Sequence, residues 1–250
     1  MSDPRVSAVI PTMNMGRFLS DAVASIMRQK IRVHEIFIID SHSSDTTRQV
    51  VAKLKDDGAP IRFIQTDKNT PAAARNVALA QACGEIIAFL DADDLWPENK
   101  LQHQLRRMDQ TPRLDMVSGF VRYFDLLDVQ KLAPAADSRI ETLYHVHLGA
   151  CLFRKSVFEQ IGLLDESFTY AEDVDLQFRI RERQIPFAIM REVTLYYRRH
   201  PDSMMSRKHP RKKQDFHRAV ARSLVRRRAG GSEAADLDPL EKFVDPEVLA

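Results

Sequence analysis

Apolar residues arrive in four short bursts early in the chain, at 6–10, 35–40, 61–66 and 85–91, each rich in Val, Ile or Phe. Between them the apolar positions fall at helical spacing. Phe18, Leu19, Ala22, Val23 and Ile26 fill the first gap, and Val50, Val51 and Leu54 the second, where Ser43 and Ser44 are expected to cap a helix. In the third gap Pro71 and three alanines predict a helix start, since proline is tolerated in a first turn and alanine favours the turns after it. Strands joined by helical crossovers of this length run parallel. Residues 86–90 are apolar on both faces, so helices must cover the sheet on both sides. The pattern predicts a Rossmann-like three-layer α/β/α sandwich with a mainly parallel central sheet.

Beyond residue 115 the rhythm changes to an α+β one. A strand is expected over 116–124, an irregular stretch to 146, an apolar run at 149–153 and a helix from Lys155. A helix over 172–183, strands at 185–190 and 194–199 and a basic helix at 211–228 follow. The expected units are a domain over 1–206, with halves of about 1–115 and 116–206, an amphipathic helix over 207–229 and an acidic tail over 230–250. Glu233, Asp236, Asp238, Glu241, Asp245 and Glu247 face one lysine in that tail, which is expected to be flexible or a docking arm.

With 250 residues, 44% hydrophobic and 29% charged, the chain can bury a sizeable core, which excludes wholesale disorder. A net charge of +2 gives no global pull toward nucleic acid or anionic membrane, so any electrostatic partner must be local. Cys83 and Cys151 have no metal-ligand spacing and read as small buried residues. Residues 1–10 lack the basic start and apolar stretch of a secretory signal and no run of 18 apolar residues occurs, so export is not expected and a reducing cytosol is the expected compartment.

In sheets of this kind ligands bind beyond the carboxyl ends of the strands, so those ends are where chemistry is expected. They read Pro11-Thr12-Met13-Asn14, then Asp40 to Asp45, then Asp91-Ala92-Asp93-Asp94. Carboxylates on rigid backbone at a sheet rim suit Mg2+ or Mn2+, which complete their shell with water and substrate phosphates. The plainer role for Asp93 and Asp94 is to cap a helix over 97–108. There is no glycine-rich phosphate loop, which disfavours dinucleotide enzymes and P-loop NTPases. Arg75, near a helix start, could meet phosphate, or be an ordinary surface arginine. Glu172-Asp173-x-Asp175 opens a helix and offers a general base, although acids are favoured in a first turn without catalysis. His200 closes the last strand and could complete a cation site, whereas His145 and His147 are expected as surface or internally satisfied histidines.

These pieces, in this order over about residues 5–206, resemble the inverting GT-A glycosyltransferases of family 2, which use nucleotide-diphosphate sugars. The segment 6–14 resembles the family's opening strand and turn, Ile38-Ile-Asp-Ser-His-Ser-Ser-Asp45 its acidic loop, and Ala73-Ala-Arg-Asn76 with Gly84-Glu-Ile-Ile-Ala-Phe-Leu-Asp-Ala-Asp-Asp94 its most specific block. Segments 149–158, 162–166 and 171–176 resemble the acceptor-side segment ending in Glu-Asp, and Tyr197-Arg-Arg-His-Pro-Asp-Ser203 the stretch after the last strand.

The resemblance implies that Pro11, Thr12, Asn14 and Asp40 surround the nucleoside and that Arg75 lies near base or diphosphate. It puts Asp91 and Ala92 on the donor, Asp93 on the metal with His200 approaching it, and Asp173 as the base. Three positions depart from the family pattern: Met13 where many members stack a tyrosine, Ser41 for a second aspartate, and His42 for glycine. A UDP-sugar is the first expectation, with dTDP- and GDP-sugars open, and His42 is expected to avoid a positive φ. The alternative function is a nucleotide-sugar-binding scaffold that has lost catalysis; a nucleotidyltransferase is disfavoured by the absent glycine-rich loop. For the basic helix, which carries ten Lys and Arg with Phe216, Val220 and Leu224 at four-residue spacing, the expectation is that this stripe packs on the domain. The alternative is an anionic membrane surface, suiting a lipid-linked acceptor and a peripheral location. No nucleic-acid partner is expected, since the segment has no run of aromatic residues for base stacking.

Overall fold

The computed structural model describes residues 4–204, 206, 209–229 and 237–245. Its first half alternates β1 (Val6–Thr12), α1 (Gly16–Met27), β2 (Glu35–Asp40), α2 (Thr47–Asp56), β3 (Ile61–Gln65), α3 (Pro71–Leu79) and β4 (Ile86–Phe89). Then come α4 (Lys100–Gln110), β5 (Met116–Phe124), the short strands β6 (Leu127–Asp128), β7 (Ala133–Pro134) and β8 (Glu141–Leu143), and a 3-10 turn at Leu148–Ala150. The chain continues through β9 (Leu152–Arg154), α5 (Ser156–Ile161), α6 (Glu172–Glu182), β10 (Phe187–Arg198), α7 (Pro210–Ala229) and a 3-10 turn at Leu240–Phe243.

The main sheet has the order β10-β5-β9-β4-β1-β2-β3, with β8 pairing β5 beside that path. β3, β2, β1 and β4 run parallel, as do β10 and β5. The three-residue β9 sits between β4 and β5, antiparallel to both. One apolar face gathers Val6, Ala8, Ile10 and Ile38 with Leu19, Val23 and Ile26 of α1 and Leu101 and Leu105 of α4. The other gathers Val9, Phe37, Ile39 and Phe89 with the alanines of α3, Val157 and Phe158 of α5, and Leu176 and Ile180 of α6. Two faces, each covered by helices, make the expected α/β/α sandwich, and β2 is buried at every position.

Several local expectations change. α2 starts after Thr46, which makes no side-chain capping bond; Asp45 Oδ1, one residue earlier, accepts from Thr47 N at 2.9 Å, while Ser43 and Ser44 are bonded elsewhere. α4 starts at Lys100 after Asn99, so Asp93 and Asp94 cap nothing. The two expected strands after 185 are one, β10, with irregular pairing between Ile189 and Leu195. There Gly119 of β5 lets the strands close, since a Cβ on it would stand 2.4 Å from Thr194 Cγ2 and 2.7 Å from Glu192 O. Cys151 is buried but Cys83 is exposed. In the tail, the described part 237–245 docks: Phe243 stacks on Phe187 at 4.1 Å, and Asp245 takes Arg107 on both carboxylate oxygens at 2.8 and 2.7 Å. Residues 230–236 and 246–250 lie outside the described residues.

α7 turns a different face to the domain than its apolar stripe suggests. Asp215, Ala219 and Ser223 are buried, while Phe216 is 48% exposed. Arginines do the anchoring: Arg222 pairs with Asp165, and Arg226 with Glu182 and Asp175. Among the described residues no helix is long and apolar enough to cross a membrane.

Candidate functional site

The carboxyl ends of β1, β2 and β4 open on one rim, and the residues there that were expected around a nucleoside bind one another. Asn14 sits at φ +56°; its Oδ1 accepts from Ser44 N at 2.8 Å and its own N–H donates to Ser43 Oγ at 2.7 Å. Asp40 is buried and accepts from Ser43 N at 3.1 Å and from Gln65 Nε2 at 3.1 Å. These bonds lock the loop after β2 onto the turn after β1. Thr12 is buried with its Oγ1 unpartnered, and the half-buried Pro11 pairs in register with Ile39. His42 adopts φ +53°, against the expectation that it would avoid the left-handed region; its Nε2 lies 2.7 Å from Asp67 Oδ1.

The acidic centre follows β4. Asp93 Oδ2 meets His200 Nε2 at 2.9 Å, and the His200 ring rests on Phe18 with centroids 4.5 Å apart. This joins two positions that are 107 residues apart. His200 Nδ1 is buried without a partner. Asp94 turns inward, 1% exposed, its Oδ1 accepting from Arg198 N at 2.9 Å while Oδ2 has no partner. Burial, with Asp93 and Asp91 alongside, pushes its carboxyl well above the ordinary value. Ala92 is buried in the core beneath.

Arg75 ties this centre to α6. Its guanidinium, 4% exposed, donates through Nη2 to Asp91 Oδ1 at 2.5 Å and through Nη1 to Glu172 Oε1 at 2.7 Å. It is therefore not a surface arginine; both terminal nitrogens bond carboxylates, and Nε is buried without a partner. Burial opposes charge on Asp91, but Arg75 outweighs it and holds the carboxyl below its ordinary value. Asp173 lies next to Glu172 in the first turn of α6, its Oδ1 accepting from Val174 N at 2.8 Å. Burial first, and then Glu172, raise its pKa to about 7. A carboxylate so poised can take a proton near neutral pH.

Two residues in this cleft carry roles that the sequence did not reveal. His147, expected as a bystander, stands with Nε2 3.9 Å from Asp91 Oδ2, and burial pushes its pKa down to about 4, so it is neutral and able to ligate. Asp91, Asp94 and His147 bring one ligand atom each to within 4.8 Å of one another. Glu172 serves as the far anchor of Arg75. The one available signal was His147 standing just before the apolar 149–153 segment.

The family model described as "Glycosyl transferase family 2" matches residues 7–162. The UDP-Glc:alpha-D-GlcNAc-diphosphoundecaprenol beta-1,3-glucosyltransferase WfgD of Escherichia coli is 37% identical over 108 residues, which is 43% of this chain and 42% of that protein. The chain spans less than two thirds of the length of the curated relatives it matches, from 18% to 58% among the first four. TarS 1-349 of S. aureus in complex with UDP-GlcNAc superposes with a TM-score of 0.73 at 20% identity, over 95% of this chain and 69% of that one. The mannosyltransferase PcManGT from Pyrobaculum calidifontis, in complex with GDP-Man and Mn2+, superposes with a TM-score of 0.63 at 19% identity, over 97% of this chain and 68% of that one. At such identities the likeness is one of fold, the GT-A sandwich.

Proposed function

The chain belongs to glycosyl transferase family 2, and from that membership we propose that it moves a sugar from a UDP-sugar to an acceptor hydroxyl with inversion, aided by a divalent cation. The observation that carries this reading is the Arg75 fork, which draws Asp91, at the end of β4, and Glu172, beside Asp173, into one cleft. A donor held at the strand ends and an acceptor facing α6 would then meet between them.

In the transfer the acceptor oxygen bonds to the anomeric carbon from the face opposite the diphosphate. The bond from that carbon to the phosphate oxygen breaks, and its electron pair leaves with the nucleoside diphosphate. The acceptor's proton passes to Asp173, whose raised pKa suits the task. One displacement inverts the centre. Thr12, with its buried unpartnered hydroxyl, and the Asn14 and Asp40 loops would receive the nucleoside.

The donors gathered after β4 fit Mg2+ or Mn2+: Asp91, Asp94 and the neutral imidazole of His147 bring one ligand atom each to within 4.8 Å of one another, with Asp94 Oδ2 buried and unpartnered, and the Asp93–His200 pair stands beside them. Asp93 and His200 would hold the cation, which when bound neutralises charge on the departing diphosphate. The nucleotide-sugar partner is supported by the likeness to TarS in complex with UDP-GlcNAc, and the cation by the likeness to PcManGT in complex with Mn2+.

The test is binding and slow hydrolysis of UDP-, dTDP- and GDP-sugars with manganese, magnesium or chelator. Asp173→Asn should cut transfer by roughly 10²–10⁴-fold while keeping donor binding, and Asp93→Ala should weaken the metal-dependent part of that binding. Full turnover by both variants would overturn the mechanism. No donor bound under any condition would leave a scaffold of the same fold.

A further inference from the structure

The turn that presents Asp173 is joined to its own helix by Asp175 N donating to Ala171 O at 3.0 Å, and the residues before it are held from outside that helix. Ala171, the residue before α6, sits in the left-handed region at φ +65° and makes no side-chain capping bond. A residue with a Cβ is strained there, at a cost of about 1–2 kcal/mol, and stays only where the surroundings fix it. Arg75, bonded to Glu172 at 2.7 Å, fixes the side after Ala171, and α7 fixes the side before it. Asp215, 5% exposed, accepts through one oxygen, Oδ2, from both Thr169 N and Tyr170 N at 3.0 Å. Its other oxygen pairs with Arg218 at 3.1 Å. Arg218 in turn donates to Ser167 O at 2.7 Å, and Arg218 and Arg222 lie over the buried Phe168 ring at 4.4 and 5.1 Å. Residues 167–170 are thus gripped one after another from a helix that lies outside the family-matched span of 7–162.

We propose that Asp215 is a positioning residue of the transferase: by accepting from the Thr169 and Tyr170 amides it sets the turn that aims Asp173 at the acceptor hydroxyl. This rests on Asp173 being the base, as proposed for the transfer itself. Charge-assisted bonds to two adjacent amides fix a backbone more tightly than neutral ones, and a base displaced by an ångström loses about a hundredfold in rate. The C-terminal helix is then part of the catalytic architecture.

The full chain is assayed with the UDP-sugar that the wild type hydrolyses fastest in Mn2+, and UDP affinity is measured separately by calorimetry. Asp215→Ala should lower kcat by roughly 30- to 100-fold, with donor KM and UDP affinity within about twofold of wild type. Asp215→Asn keeps an acceptor oxygen in place and should restore kcat to within about fivefold, whereas Asp215→Glu keeps the charge but moves the oxygens by a methylene and should stay low. Should the alanine variant fail to fold, the asparagine and glutamate variants decide the matter. Wild-type kcat in Asp215→Ala, an active glutamate variant beside a dead asparagine one, or kcat and UDP affinity falling together would each overturn the proposal. Asp173→Asn runs alongside: if it is fully active, the base assignment itself falls, whereas a dead Asp173→Asn with a fully active Asp215→Ala removes only the role of Asp215.

Discussion

A carboxyl that must strip a proton from a hydroxyl works as the carboxylate, and burial beside Glu172 brings Asp173 to about 7 instead of the ordinary acidic value. Activity should therefore fall about tenfold per pH unit below 7 and level off above it. A pH profile of kcat/KM that stays flat from about 5 to 9 would remove Asp173 from the role. Lys100 tests burial in the opposite sense. It is 1% exposed, its Nζ meets no carboxylate but the neutral Gln104 Oε1 at 2.8 Å, Cys151 O at 3.4 Å and the Trp96 ring at 5.4 Å, and burial pushes its pKa down to about 7. Between that value and the ordinary 10.5 the unfolded chain binds a proton that the folded one does not, so this contribution to stability grows as pH rises through the window. Lys100→Met should gain on the wild type most below pH 7, and the gain should shrink by up to about 1.4 kcal/mol per unit above it, as read by urea unfolding at several pH values. A pH-independent difference would mean that Lys100 does not titrate there. The placement of Asp91, Asp93, Asp173 and His200 at a strand end or helix start was legible in the sequence because each lies within a motif at such a boundary. The contacts of His147 with Asp91 and of Glu172 with Arg75, and the inward turn of Asp94, were not, because they depend on proximity across the fold and the direction in which a side chain turns.

Helix α7 shows how periodicity can pick the wrong face of an element. Phe216, Val220 and Leu224 form the apolar row, yet the buried row is Asp215, Ala219 and Ser223, one residue earlier and so rotated by about 100°. The reason lies in the partner. α6 offers Asp175 and Glu182, whose side chains are 2% and 9% exposed, so charge complementarity chooses the face that carries Arg222 and Arg226. Arg226 bonds Glu182 at 2.6 and 3.2 Å and Asp175 at 3.0 Å. Arg226→Met strands two buried carboxylates and should cost about 2 kcal/mol, below the usual 3–5 for a buried pair because Arg226 itself is partly exposed and Arg179 also serves Asp175. Denaturant unfolding checks this, and an unchanged midpoint would show that α7 is held some other way. The helix packs on the domain, but the apolar stripe expected to make that contact does not.

At the scale of the molecule the two halves differ in how plainly they could be read. β1 to β4 come from local strand-helix-strand units, in which each crossover dictates its own partner, so alternation and spacing were enough. The second half pairs strands that are distant in sequence, and its central element, β9, is only three residues long, too short to leave a period. The 237–245 segment could be suspected of docking from its acids, but Arg107 and Phe187 as its partners depend on the finished sheet. The place of β9 also bears on how the protein is made. While the ribosome is still adding residues 91–151, β4 has β1 on one side and nothing on the other, leaving the backbone groups of Ile86 and Ile87 as an open template for any extended chain nearby. Only when 152–154 emerge does that border close and give β5, and through it β10, something to build on. A nascent chain of this protein is therefore most prone to aggregate in the seconds before its shortest central strand is translated.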